Sequence, residues 1–139
     1  MTTVMAFGTF DMLHEGHRYY LSEAKKLGDT LVVVVARDET VNKLKEKFPV
    51  HNEDYRLRQV KSLSFVNKAV LGNPGDKLKV VVDHKPDIIC LGYDQTFFTE
   101  QLREKLADRH LFPKIIRLPP HMPEMYKTSK IRERLAERF

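Results

Sequence analysis

The sequence predicts an α/β fold: one doubly wound sheet of five parallel strands, with helices on both faces. Three observations lead there. Short apolar runs rich in β-branched residues recur five times, helical patterns lie between them, and turn-forming residues mark the handovers. Near-continuous apolar strands must be covered on both faces, and crossover helices supply that cover.

Residues 3–7 read as the first strand, which Gly8 closes. Residues 17–27 follow as a helix that carries Leu21, Ala24 and Leu27 on one side, ended by Gly28-Asp29. The run 30–36, with four consecutive valines, is the second strand. Residues 53–64 give a less regular helical pattern before the third strand at 68–71, which the turn Gly72-Asn73-Pro74-Gly75 ends. A helix over 76–84 then leads to the fourth strand at 87–91. Leu102 and Leu106 place a helix over 99–109, ahead of the fifth strand at 114–118. Pro119-Pro120 and Pro123 break the chain again. The last segment, 129–139, reads as a helix with Ile131 and Leu135 inward and Thr128 or Ser129 as its N-cap. The whole of 1–139 is expected to form one domain, since a chain of this length supports a single core.

Composition narrows the function classes. With 42% hydrophobic and 31% charged residues the chain falls in the ordinary soluble range, without a biased tract. The longest apolar run, 31–36, is too short to span a bilayer, and the first residues lack the basic start and apolar stretch of a secretory signal, so the expected location is the cytoplasm. A single cysteine, Cys90, within the apolar run 88–91, reads as a small core residue. The formal net charge of +5 suits an anionic partner, either a small phosphate ester or a nucleic acid. Basic residues interleaved with aromatic ones, which RNA recognition would use, are not visible, yet a non-catalytic nucleotide- or RNA-binding protein stays as an alternative of a different class.

In such a sheet ligands collect beyond the carboxyl ends of the strands, where the strand order reverses. The stretch GTFDMLHEGH, Gly8 to His17, stands at such an end. Gly8 and Gly16 would let backbone approach a ligand closely, and the start of the helix offers unpaired N–H groups and about half a positive charge to an anion. His14 and His17, one helical turn apart, can then donate to phosphoryl oxygens. Neither G-x-x-x-x-G-K-[ST] nor G-x-G-x-x-G occurs, HEGH is not H-E-x-x-H, and a zinc site lacks a third ligand.

GTFDMLHEGH resembles the H-x-G-H motif of the cytidylyltransferase-like nucleotidyltransferases, and YKTSKI, Tyr126 to Ile131, resembles their second signature. The resemblance runs from about residue 4 to 131 and implies a Rossmann-like nucleotidyltransferase fold. By that resemblance Gly8, Thr9, Phe10 and Asp11 form the nucleotide-binding loop after the first strand, with Asp11 positioning metal or nucleophile. It makes His14 and His17 the phosphate-contacting pair, and Lys45 and Arg56 further catalytic residues, with Arg58 as the competitor of Arg56. Lys47 is implied at the acceptor. Gly92, Tyr93, Asp94 and Gln95 would read the nucleoside, with Thr128 and Ser129 binding phosphate. Met122 stands where cytidylyltransferases for glycerol phosphate and choline phosphate carry an arginine, a departure that bears on one phosphate contact and on the choice of CTP. VVARDETV, AVLG and KPDIICLGYDQ are most similar to the archaeal type of FAD synthetase. That implies ATP and FMN as substrates, Mg2+ bound mainly through ATP, no protein metal cage, no nucleic acid or membrane partner, and a homodimer. Glycerol 3-phosphate with CTP, or a sugar phosphate with ATP, is the same chemistry on another acceptor. An apolar slot for flavin rings could come from Tyr93, Phe97, Phe98, Met122, Met125 and Tyr126.

Overall fold

A computed structural model describes residues 1–92 and 102–119. In chain order it holds β1 (Thr3–Gly8), α1 (Glu15–Lys25), β2 (Thr30–Val35), α2 (Asp38–Lys45), α3 (Glu53–Lys61), β3 (Lys68–Leu71), α4 (Lys79–His84), β4 (Ile88–Leu91), α5 (Leu102–Ala107) and β5 (Lys114–Arg117). All five strands pair in parallel in the order β3-β2-β1-β4-β5. The chain builds outward from β1 to β3 and then returns to the other side of β1, so the order reverses between β1 and β4.

The apolar runs form strands because alternate residues find cover on opposite faces. Val4 and Ala6 of β1, and Leu31, Val33 and Val35 of β2, pack with Leu21 and Ala24 of α1 and Val60 of α3. Met5, Val32 and Val34 face the other way, onto Val80 and Val81 of α4 and Leu102 and Leu106 of α5. Each such buried side chain contributes roughly 1.5–3 kcal/mol, enough to order strands of only four to six residues. Cys90 lies in the first of these clusters, and burial pushes its thiol up to about 12, the behaviour of a core residue.

Helix α2 was not visible in the sequence, where 38–45 shows little apolar periodicity. Its start is completed from another helix: the Asp38 amide donates to Glu53 Oε1 at 2.8 Å, and the Glu53 amide donates to Asp38 Oδ2 at 3.2 Å. Two helices thus cap each other through the acids of their first turns. Helix α1 begins at Glu15, two residues before the expected start, because His14 supplies its N-cap. α4 is shorter than expected, since Asp76 Oδ1 accepts from the Leu78 amide and holds the preceding residues as a turn. The expected C-terminal helix lies outside the described residues.

Gly8 serves a different purpose from the one its position suggested. A Cβ there would sit 2.6 Å from Cζ of Phe10, so the space above the glycine belongs to that ring and not to a ligand. Phe10 is 3% exposed and has φ 55°; Met12, two residues on, has φ 52°. The loop therefore turns back on itself through two left-handed residues and drops the Phe10 ring into the core. Gly8→Ala is expected to destabilise the chain by about 1–3 kcal/mol through overpacking, read from a chemical denaturation curve. An unchanged midpoint would contradict the packing described.

Candidate active site

The loop after β1 and the end of β4 meet where the strand order reverses, which brings Gly8–His17 and Gly92 to one edge of the sheet. The main-chain carbonyl of Gly92 accepts from Arg117 Nη1 at 2.8 Å, tying the ends of β4 and β5 together. Tyr93, Asp94, Gln95, Met122, Tyr126, Thr128 and Ser129 lie outside the described residues, as do Phe97, Phe98 and Met125.

The two histidines make a reciprocal cap. His14 Nδ1 accepts from the Gly16 amide at 3.0 Å, and His17 Nδ1 accepts from the His14 amide at 3.2 Å. An imidazole that accepts at Nδ1 carries its hydrogen at Nε2, so both rings present Nε2–H as a donor. The rings stack with centroids 3.9 Å apart at 22°. Charging either would destroy its cap bond and set a cation against its neighbour. Burial lowers His14; for His17, burial first, then His14 and then the Lys45 ammonium together push it down to about 3. The pair is thus neutral at physiological pH and donates without carrying charge. Gly16 gives its amide to this cap, so among the N–H groups at the start of α1 this one is already partnered.

Lys45 ends α2, exposed, and supplies the full positive charge near the histidines. Lys47 is exposed in the turn that follows, after the left-handed Glu46. Phe10 faces inward, edge-on to His17 at 5.5 Å and stacked on Tyr20 at 6.5 Å, so it supports the histidine from behind. Asp11 spends an oxygen on each of two amides: Oδ2 accepts from Val50 at 2.7 Å and Oδ1 from His51 at 3.0 Å. It clamps the loop after β1 to the loop before α3.

Arg56, expected as a catalytic residue, requires a correction. Its side chain is 1% exposed and committed to the protein itself. Nε donates to the His51 carbonyl at 2.9 Å, Nη1 to those of Thr9 and Ala36 at 2.8 Å each, and Nη2 to Asp38 Oδ1 at 2.7 Å. Four donors thus join the loops after β1 and β2 to the start of α3. Sequence reasoning could not see these partners because they come from three separate segments; Arg58, the competitor, is exposed. A cleft of about 220 Å³ opens beside this hub, where the rings of His51 and Tyr55 stack at 4.3 Å and where Phe10, Met12, Leu13 and Arg18 also line the wall.

Arg56→Met is expected to cost about 3–5 kcal/mol in urea denaturation, because Asp38 would keep a charge with no guanidinium to answer it. A loss below about 1 kcal/mol would remove Arg56 from the centre of this network. Acidification offers a second measurement. Unfolded histidine takes up a proton near 6.5 while folded His17 resists until about 3, so protons favour unfolding. The contribution is complete above about pH 6.5 and falls as pH drops towards 3, by up to ~1.4 kcal/mol per pH unit. His17→Gln should flatten that slope; an identical slope would place the titration elsewhere.

Comparison with known proteins supplies the family. The cytidylyltransferase-like family model matches residues 5–134. A protein of Thermoplasma volcanium named FAD synthase is 44% identical over 137 residues, covering 99% of this chain and 96% of its own. One of Aciduliprofundum boonei, also named FAD synthase, is 53% identical over 118 residues, covering 85% and 78%. The crystal structure of a protein described as a lipopolysaccharide core biosynthesis protein, from Thermoplasma volcanium, superimposes with a TM-score of 0.82 at 48% identity, over 87% of this chain and 98% of that one. With the H-x-G-H histidines standing as a capped pair at the reversal of the sheet, the chain belongs to the cytidylyltransferase-like family and is a nucleotidyltransferase.

Proposed function

We propose that this enzyme transfers AMP from ATP to the phosphate of FMN, giving FAD and pyrophosphate. The observation that carries the reading is the pair of neutral Nε2–H donors at the start of α1, in a chain 44% and 53% identical to proteins named FAD synthase. An oxygen of the FMN phosphate bonds to the α-phosphorus as the bond from that phosphorus to the β-phosphate bridging oxygen breaks, and pyrophosphate leaves with that electron pair. The attacking monoester is already anionic, so no general base is needed. What the reaction asks of the protein is alignment and donors aimed where negative charge spreads.

His14 and His17 donate from Nε2 to phosphoryl oxygens, and Lys45 adds charge against the triphosphate or the acceptor. Gly92, Tyr93, Asp94 and Gln95 are assigned to the nucleoside, Thr128 and Ser129 to phosphate, and Lys47, Met122 and Tyr126 to the acceptor. A divalent cation, Mg2+ in this reading, enters mainly on the triphosphate and offsets its charge. The residues present fit that mode, because each Asp11 oxygen retains a lone pair beyond its amide bond and would supply an oxygen ligand. Among the described residues no helix is long and apolar enough to cross a membrane.

The test is a matrix of ATP or CTP against FMN, glycerol 3-phosphate and sugar phosphates, scored by pyrophosphate and product mass. FAD from ATP and FMN is expected; product only in another cell of the matrix would reassign the acceptor or the base. His17→Ala should lower kcat by roughly 10²–10³-fold with the fold retained, and near-wild-type turnover would sink its role. Lys45→Ala should raise KM for at least one substrate.

A further inference from the structure

The seam between β1 and β4 stops short of the strand ends. β1 remains paired with β2 as far as Gly8 opposite Val35, and β4 with β5 as far as Leu91 opposite Arg117. Across the reversal, however, pairing covers only Val4 with Ile88, Met5 with Ile89 and Ala6 with Cys90. At that point the strands meet a phenol from α1. Tyr20 Oη donates to the Cys90 carbonyl at 2.8 Å, lies 3.3 Å from the Phe7 carbonyl, and is 3.4 Å from the Phe7 amide, from which it accepts. A hydroxyl has one hydrogen and two lone pairs, so giving to the nearer carbonyl and taking from the amide can be satisfied together.

Tyr20 sits one helical turn beyond His17. Its ring stacks on Phe10, whose edge-on partner is His17 itself. At its far end α1 is tied by Lys25 Nζ, which donates to Asn67 Oδ1 at 2.8 Å and to the Asp29 carbonyl at 2.6 Å; between that end and the histidines it rests on the sheet through apolar contacts such as those of Leu21 and Ala24. Such contacts are not directional and tolerate small slides and rotations. A hydrogen bond to a main-chain carbonyl weakens steeply with misalignment, and this one reaches the strands on both sides of the crevice.

We propose that Tyr20 is a positioning residue: its hydroxyl stands in for the last rungs between β1 and β4 and thereby fixes the height and rotation of α1, placing the His14 and His17 donors over the carboxyl ends of both strands. The role concerns the rate, not affinity. Substrate contacts remain possible when α1 shifts, but the donors no longer point where charge develops, and a displacement near 1 Å at such a site can cost roughly 10²-fold. The kinetic part rests on the nucleotidyl-transfer reading above; the structural part does not.

The experiment is Tyr20→Phe in the full chain, which keeps the ring and removes the hydroxyl. Pyrophosphate release from ATP and FMN should lose about 10–50-fold in kcat, with KM for both substrates within about twofold. Without substrate, the imidazole nitrogen and Cε1–H resonances of His14 and His17 should move from their wild-type positions. A variant that melts earlier but keeps wild-type kcat and imidazole resonances would overturn the proposal, leaving Tyr20 a stabilising residue only. Unmoved resonances with a large rise in KM would overturn it as well. Because the resonances require no turnover, a chain inactive on ATP and FMN would defeat the proposed function while still deciding the role of Tyr20.

Discussion

A guanidinium only 1% exposed to solvent organises the active edge of this protein. Removing a permanent cation from water costs several kcal/mol, and the site tolerates it only because three carbonyls and one carboxylate take the place of hydration. Those acceptors belong to the ends of two neighbouring strands and to the start of a helix, so satisfying Arg56 requires the three segments to be in register at once. Asp11 adds a second tie between two of them. The loop bearing the histidines is thus held from behind, which is what allows it to keep two left-handed residues of ordinary side chain.

On that frame the histidine pair combines two uses of one heteroatom pattern. Each Nδ1 completes the helix start, and the same bond leaves Nε2 as the donor. Burial first, and for His17 then the neighbouring imidazole and Lys45, discourage protonation, so the site separates directional hydrogen bonding, from the imidazoles, from net charge, from the lysine. A phosphoryl group in transfer benefits from both, since its charge spreads over several oxygens.

Much of this was legible in the residues. Strands such as 30–35 declared themselves because buried parallel strands are apolar on both faces, and the motif after the first apolar run put His14 and His17 at the carboxyl end of β1, where the structure has them. What stayed hidden was tertiary. Arg56 in EDYRLRQV looks like any arginine on a charged helix; nothing local separates a ligand contact from a buried hub. Gly8 was read for openness when its missing Cβ makes room for a phenylalanine two residues away. Nothing in the sequence singles out Tyr20, because its partners are main-chain atoms of strands distant in sequence. The element α2 escaped for the same reason, its start being finished by a helix that had not yet been drawn.

That mutual finishing of α2 and α3 reaches into how the sequence can vary. Asp38 serves the Glu53 amide and Arg56; Glu53 serves the Asp38 amide and, through Oε2 at 3.3 Å, Arg37. Exchanging either acid alone strands two donors at the start of the other helix: the Glu53 amide and Arg56 of α3 when Asp38 is lost, the Asp38 amide and the N-cap Arg37 of α2 when Glu53 is lost. Positions 38 and 53 are therefore yoked, and descendants of this chain are free to drift there as a couple but not singly.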